Sequence, residues 1–359
     1  MHGRICRLVL LAAWATACAA PTAQPHAPPP PARPLHRGPL TDFVASASLR
    51  WLLLVKPQRL LAEPGLGQAI LQIIPNTRLD AFAESSGVDL RVVPEAAIAG
   101  FPYSTLYLAE LPKGVAALAR ARFGERLLAG AVSKQPRPGL TLVTGVIGQT
   151  PETLLTVEER LLAISVGDPL PAKIAEAYAE ERLKHSPPAL DGAALSALSE
   201  LAPSNMVVLF APGPFADEWQ RAAGGLLQST VAVAITAEPI AHDKLATTLY
   251  LAGAWQDSAD DAAHRLSAAW TTFARSSAGR LFELSEVAEA NANAEVVTLR
   301  VELELEGLLR GLRASVYGDL SQILNLPGNS PGKRTPDERE RRSRTRETRE
   351  TNPVEPVAP

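Results

Sequence analysis

Cysteine is almost missing from this chain: two in 359 residues, Cys6 and Cys18. Aromatic residues make up only 5% of the composition, against 46% apolar residues overall. Ala and Leu therefore carry much of the apolar load, which suits helices and thin layers packed through small side chains. No apolar run approaches the roughly 20 residues that a stable membrane-spanning helix needs. Charge of one sign is also scarce, with a formal net charge of −3, so nucleic acid is not an expected partner. The six histidines, His2, His26, His36, His185, His242 and His264, show no metal-binding spacing such as H-x-x-x-H. There is no G-x-S-x-G elbow, no S-x-x-K in a convincing strand–helix setting, no G-x-G-x-x-G and no Walker lysine. These absences leave no catalytic, cofactor-binding or metal-binding residue that the sequence can nominate above background.

What the chain does have is a distinctive start. His2, Arg4 and Arg7 are followed by an apolar stretch from Leu8 to Trp14, then Ala15-Thr16-Ala17-Cys18. A basic start, a short apolar core and a small-residue exit are the features of a removable export segment. The arrangement resembles the lipobox of bacterial lipoproteins, although Leu is commoner than Ala at the place of Ala15. That resemblance implies that Cys18 becomes the acylated N-terminus. Cys6 leaves with the signal, so no internal disulfide or thiolate cluster remains. Ala15-Thr16-Ala17 is also an A-x-A cleavage site, and ordinary secretion is the rival reading. Several acyl chains would hold the chain firmly to a membrane, where one would not. Ala19 follows the cysteine; by the same resemblance, an Asp there would favour the inner membrane, so the outer membrane is preferred. Phrases such as GVDLRVVPEAAIAGF and STLYLAELP resemble uncharacterised envelope lipoproteins of bacteria with large GC-rich genomes, and imply no known activity.

Five segments follow from composition. Residues 1–17 read as signal peptide. Residues 18–40, rich in proline, read as an extended spacer behind the lipidated Cys18. Residues 41–188 and 189–327 read as two α+β units, and residues 328–359 as a charged tail too poor in apolar residues to repay ordering. Within the first unit, strands are expected over Leu49–Val55, Ala96–Phe101, Thr105–Leu111 and Leu140–Gly148, with a hairpin around Glu158-Glu159. Helices are expected from Leu66 to Ile74, from a cap at Thr77 to a stop at Gly87, along Val115–Leu127, and around Ile174–Tyr178. In the second unit, strands are expected at Met206–Phe210, Val231–Ile235, Leu245–Leu251 and Val297–Leu305. A helix from Pro214 would carry Phe215, Trp219, Ala222 and Leu226. Another, capped by Ser258, would carry a stripe running from Ala259 to Trp270 and Phe273. A last helix would hold Leu308, Leu312, Val316 and Leu320. The order β-α-β-β-α-β is that of a split βαβ unit. The expected fold is therefore α+β: two tandem ferredoxin-like units, related by duplication, with mainly antiparallel sheets.

Weak candidates have bland readings. His242-Asp243 follows Pro239 and suits a turn better than a metal site, which needs three or four ligands. His264 sits one turn after Asp260 on a wet helix face. Ala211-Pro212-Gly213-Pro214 joins a strand to a helix, but its prolines remove the amide donors a phosphate would need. Glu158-Glu159 suits a hairpin tip and Asp260-Asp261 a helix start, and neither pair need face the other across a cleft as glycosidase carboxylates do. Trp219, Trp255 and Trp270 could line a pocket, with Trp219 and Trp270 better read as core. The expectation is a non-enzymatic lipoprotein of the cell envelope, anchored by its acyl groups and facing the periplasm or surface. It would display an α+β module to an envelope protein or lipid. The alternatives are a carrier of a lipid or other apolar ligand, and a hydrolase with a dispersed site.

Overall fold

Alternating apolar residues mark most of the strands of this chain, and among the described residues the backbone assembles twelve strands into one sheet. The computed structural model describes residues 34–316, except 129–130, 184–185 and 203–204. In the first half the strands are β1 (Trp51–Val55), β2 (Ala96–Gly100), β3 (Ser104–Glu110), β4 (Val132–Arg137), β5 (Leu140–Ile147), β6 (Thr150–Val157) and β7 (Leu161–Gly167). In the second half they are β8 (Val207–Pro212), β9 (Thr230–Ala241), β10 (Lys244–Gly253), β11 (Glu289–Ala292) and β12 (Val296–Glu304). The sheet is antiparallel at every pairing, in the order β11-β12-β10-β9-β8-β1-β2-β3-β7-β6-β5-β4. The expected mixture of helices with a mainly antiparallel sheet is present. The split βαβ order is not. β8, β9 and β10 lie side by side in chain order, as do β1, β2 and β3, whereas a split unit interleaves its strands. The short turns after β2 and β9 explain the β2–β3 and β9–β10 hairpins, but the helical connections after β1 and β8 also return to an adjacent strand, with no gap left for an insertion. Outward from the β1–β8 seam the two wings match: β1-β2-β3 then β7, and β8-β9-β10 then β12.

The helices are α1 (Pro57–Ala62), α2 (Pro64–Ile73), α3 (Asn76–Ser86), α4 (Val115–Arg126), α5 (Leu170–Ala179), α6 (Asp217–Ala222), α7 (Ala259–Arg275), α8 (Ser277–Leu281) and α9 (Leu305–Val316). Proline opens α1 and α2, where its missing N–H costs nothing. Gly87 ends α3 at φ 75°, a left-handed conformation that glycine adopts without strain. Asp260 and Asp261 lie at the positive end of α7 and Arg275 at its negative end. Two expected caps are replaced: Pro75 precedes α3 in place of Thr77, and the Ser258 hydroxyl donates to the Trp255 carbonyl at 2.7 Å instead of capping α7. Leu320 and the charged tail lie outside the described residues, as do Cys18 and the signal.

Alternation along the strands gives the sheet two faces. On the first, Leu52, Leu54, Leu106, Leu108, Val208 and Phe210 are buried with the alanines of β2 and β9 under residues 35–49, α5 and residues 189–198. Each fully buried Leu or Phe contributes about 1.5–3 kcal/mol. Leu35 and Leu40 belong to this core, so the last residues of the expected spacer are part of the packed chain. They are pinned there: the Arg160 Nη2 donates to the Gly38 carbonyl at 2.6 Å, and Arg37 pairs with Glu158 at 2.9 Å. The second face is covered in separate patches. Ala116, Ala119 and Phe123 of α4 lie over Val143, Leu154 and Leu162. Ala262, Ala263 and Leu266 of α7 lie over Leu251, Val297 and Leu299. At one end, Ala69 of α2 meets Leu245, Leu305 and Leu309.

Both edges are blunted against further pairing. β4 is exposed for most of its length, carries Lys134, Pro136 and Arg137, and slips register between Lys134 and Arg137. The other edge strand, β11, spans only Glu289–Ala292.

Candidate functional site

The residues singled out from the sequence do not converge. Cys18, His2, His26 and His185 lie outside the described residues. His36 pairs with Asp42 at 2.7 Å beside the Phe43 ring, a clasp on the entering segment. His242-Asp243 forms the β9–β10 turn, with Gly65 of α2 packed against it. The Asp243 carbonyl accepts from the Leu305 N–H at 2.8 Å. His264 is exposed on α7, where the ion pair one turn apart is Asp261–Arg265 at 2.7 Å. Glu158-Glu159 occupies the β6–β7 turn. Trp255 is buried, its Nε1 donating to the Leu251 carbonyl. Trp270 lies partly buried against the α7 core. Trp219 is 68% exposed, contrary to its expected place in the core. The helix that carries it, α6, is too short to bring a long apolar stripe onto the sheet, and Ala223, just past its end, packs against the α7 core. Phe273, at 46% exposure, likewise falls beyond the covered part of the α7 stripe. Among the described residues no group of three or more His, Cys, Asp and Glu could hold a metal ion.

Two polar clusters form that sequence spacing gives no hint of. One lines a small cleft between the entering segment and the ends of β2 and β3, with Arg37, Glu95, Glu110 and Arg160 around it. Burial, and then the neighbouring Glu110 carboxylate, push the Glu95 carboxyl above its ordinary range, against the pull of Lys56 and Arg160. A carboxyl that holds its proton longer in the folded chain than in the unfolded one penalises the fold once ionised. That penalty grows as pH rises from the ordinary value near 4.5 through the raised one. Glu95→Gln should therefore raise the thermal midpoint at pH 8 by a small margin, with the gain shrinking towards pH 5. Calorimetry of the two proteins across that range checks it, and an equal shift at both pH values contradicts it.

The second cluster stands on the second face. Register places Glu152 of β6 beside Val166 of β7, then Thr105 of β3, then Gly100 of β2, then Trp51 of β1. A β-carbon on Gly100 would overlap the Trp51 indole, so the ring lies across this glycine. Arg126, at the end of α4, reaches down to Glu152: Nη2 and Oε2 are 3.6 Å apart, with the Glu152 side chain only 8% exposed. Its guanidinium also lies over the Phe123 ring at 5.9 Å. Burial raises the Glu152 carboxyl, and Arg126 partly offsets this. Burial and then the Glu152 charge raise the Tyr107 phenol.

One row along, the same face carries Ile164, Tyr107, Ile98, Leu53, Leu209 and Ile235 on six successive strands. All six are half-buried. Five of them, Tyr107 to Ile235, belong to none of the four apolar cores. The α4 patch stops on one side of this strip and the α7 patch on the other. The readable signal was β1 itself, Trp51-Leu52-Leu53-Leu54-Val55, apolar at both parities. A strand apolar on both sides is expected to be covered on both sides, and here one side is only half covered.

No protein-family model matches this chain, and no curated protein or solved structure matches it either.

Proposed function

We propose that this chain is a non-enzymatic lipoprotein of the bacterial cell envelope, anchored through acyl groups on Cys18 and using its sheet as a binding module. The half-buried apolar strip between the α4 and α7 patches is the observation that carries the binding reading. Contiguous apolar surface that the fold leaves only partly covered is characteristic of interaction sites. The anchoring half of the proposal rests on the export-type sequence at residues 1–18 and the proline-rich spacer behind it. Ala19 after the cysteine favours the outer membrane over the inner. The matching wings on either side of the β1–β8 seam support an origin of the two halves by duplication.

Radiolabelled palmitate fed to the native host tests the anchor. Label should enter the wild-type protein, which should fractionate with membranes, and should be lost from Cys18→Ser. Unlabelled, soluble protein with an unmodified N-terminus would overturn the anchored picture.

A second reading, a carrier for a lipid or other apolar ligand, is favoured by one specific feature. The strip ends near a polar corner of buried Glu152 and half-buried Arg126, and ligand sites typically pair an apolar lining with a few convergent polar groups.

A further inference from the structure

The Arg126–Glu152 corner is incompletely satisfied. The Arg126 Nε is sealed from solvent and has no hydrogen-bond partner. The one contact between guanidinium and carboxylate, at 3.6 Å, is too long for a hydrogen bond. Buried donors of this kind are rare in native proteins, and each is costly to leave unpaired. The corner lacks an acceptor for Arg126, whose side chain is 29% exposed and so open to one, and a group that can share a proton with a buried carboxyl. A carboxylic acid meets both needs with one head: one oxygen accepts from the guanidinium, and the two carboxyls hold a proton between them. Carboxyl pairs in close contact keep one proton because both cannot ionise together.

We propose that Arg126 and Glu152 take the carboxyl head of a long-chain monocarboxylic acid, whose chain lies across Ile164, Tyr107, Ile98, Leu53 and Leu209. These five residues sit on neighbouring strands about 4.8 Å apart, so the strip runs for roughly 19 Å, suited to an extended alkyl chain. Trp51, one row away over Gly100, reports on the strip. The inference rests on the carrier reading and adds the ligand class to it. Binding the anion brings a second carboxyl beside Glu152 and takes up a proton wherever neither was protonated before. The charged and titratable neighbours of Glu152 are Arg126 from α4 and Tyr107 from β3. Its neighbours across the strands, Val166 and Gly145, do not titrate.

The test uses the full chain as Cys18→Ser, free of acyl groups of its own, with dodecanoate as probe and dodecanol and dodecyl phosphate as controls. A doxyl-labelled dodecanoate should quench tryptophan emission, and Trp51→Phe should remove that quenching. Dodecanoate should bind at least about tenfold more tightly than dodecanol, and Arg126→Gln should remove that preference. Affinity should fall by about tenfold or more between pH 7 and pH 9, while Glu152→Gln should still bind with a flat pH profile. Equal affinity for acid and alcohol, or a pH slope that survives in Glu152→Gln, sinks the head-group assignment and leaves the carrier reading standing. Preference for dodecyl phosphate also sinks it. If none of the probes binds, the carrier reading falls with it. Should Arg126→Gln fail to fold, the Glu152→Gln profile and the acid–alcohol comparison decide.

Discussion

Phe210→Ala is expected to destabilise this chain by about 3–5 kcal/mol, among the largest losses a single truncation can cause. Phe210 is fully buried at the seam between the two wings, beside Leu52 of β1 and Ala234 of β9. One of its two register partners is the small Ala234, and Ala97, Ala99, Ala232 and Ala252 belong to the same core. Alanines have no side chain to swing into a void, so the cavity stays open and the full penalty applies. Chemical denaturation of wild type and variant gives the difference directly, and the thermal midpoint should fall by about 10 °C. Leu53→Ala on the opposite face of β1 is the internal comparison. Leu53 is half-buried and outside every apolar core, so its truncation should cost only about 1 kcal/mol. Equal costs for the two would mean that the strip is as firmly packed as the core, and the binding reading would lose its foundation.

Gly65→Ala should be the most damaging of the glycine replacements on α2. A β-carbon there would overlap the His242 carbonyl oxygen, and backbone cannot move aside as a flexible side chain does. α2 would have to lift from the β9–β10 turn and loosen the contact of Ala69 with Leu245, Leu305 and Leu309. Overpacking of this sort costs about 1–3 kcal/mol, occasionally more. Gly124→Ala is the counterpart. Gly124 lies inside α4 with open space around its α-carbon, and alanine there should stabilise by about 0.5–1 kcal/mol through helix propensity. Paired melts of the two variants separate a tight approach from mere glycine content. A neutral Gly65→Ala would show that α2 does not touch the turn in solution.

Strand and helix positions were readable wherever one periodicity dominated. Val297 to Glu304 alternates cleanly and is β12; Gly87 stops α3 and Glu158-Glu159 turns the β6–β7 hairpin. β4 was hidden because Val132–Arg137 is exposed almost throughout and so has no apolar face to recognise. β11 was hidden by its length. The order of strands was a different problem. A succession β-α-β-β-α-β fits both an interleaved sheet and one laid out in chain order, and only the partner that β1 and β8 each take across the helical connection, β2 and β9 here, decides. Nothing local to either segment specifies that partner. The same holds for the Arg126–Glu152 corner. One residue ends a helix and the other lies within a distant strand, and they meet only because α4 returns over β6. No spacing rule connects them.

The union of β1 with β8 bears on how the chain matures. Leu54 cannot meet Val208 until about 150 further residues have been made, and contacts so remote in sequence slow the search for the native state. If the chain is exported to the envelope as proposed above, that delay is useful. A precursor that cannot close its central seam early stays threadable through a translocation pore, and commits to its final shape only on the far side.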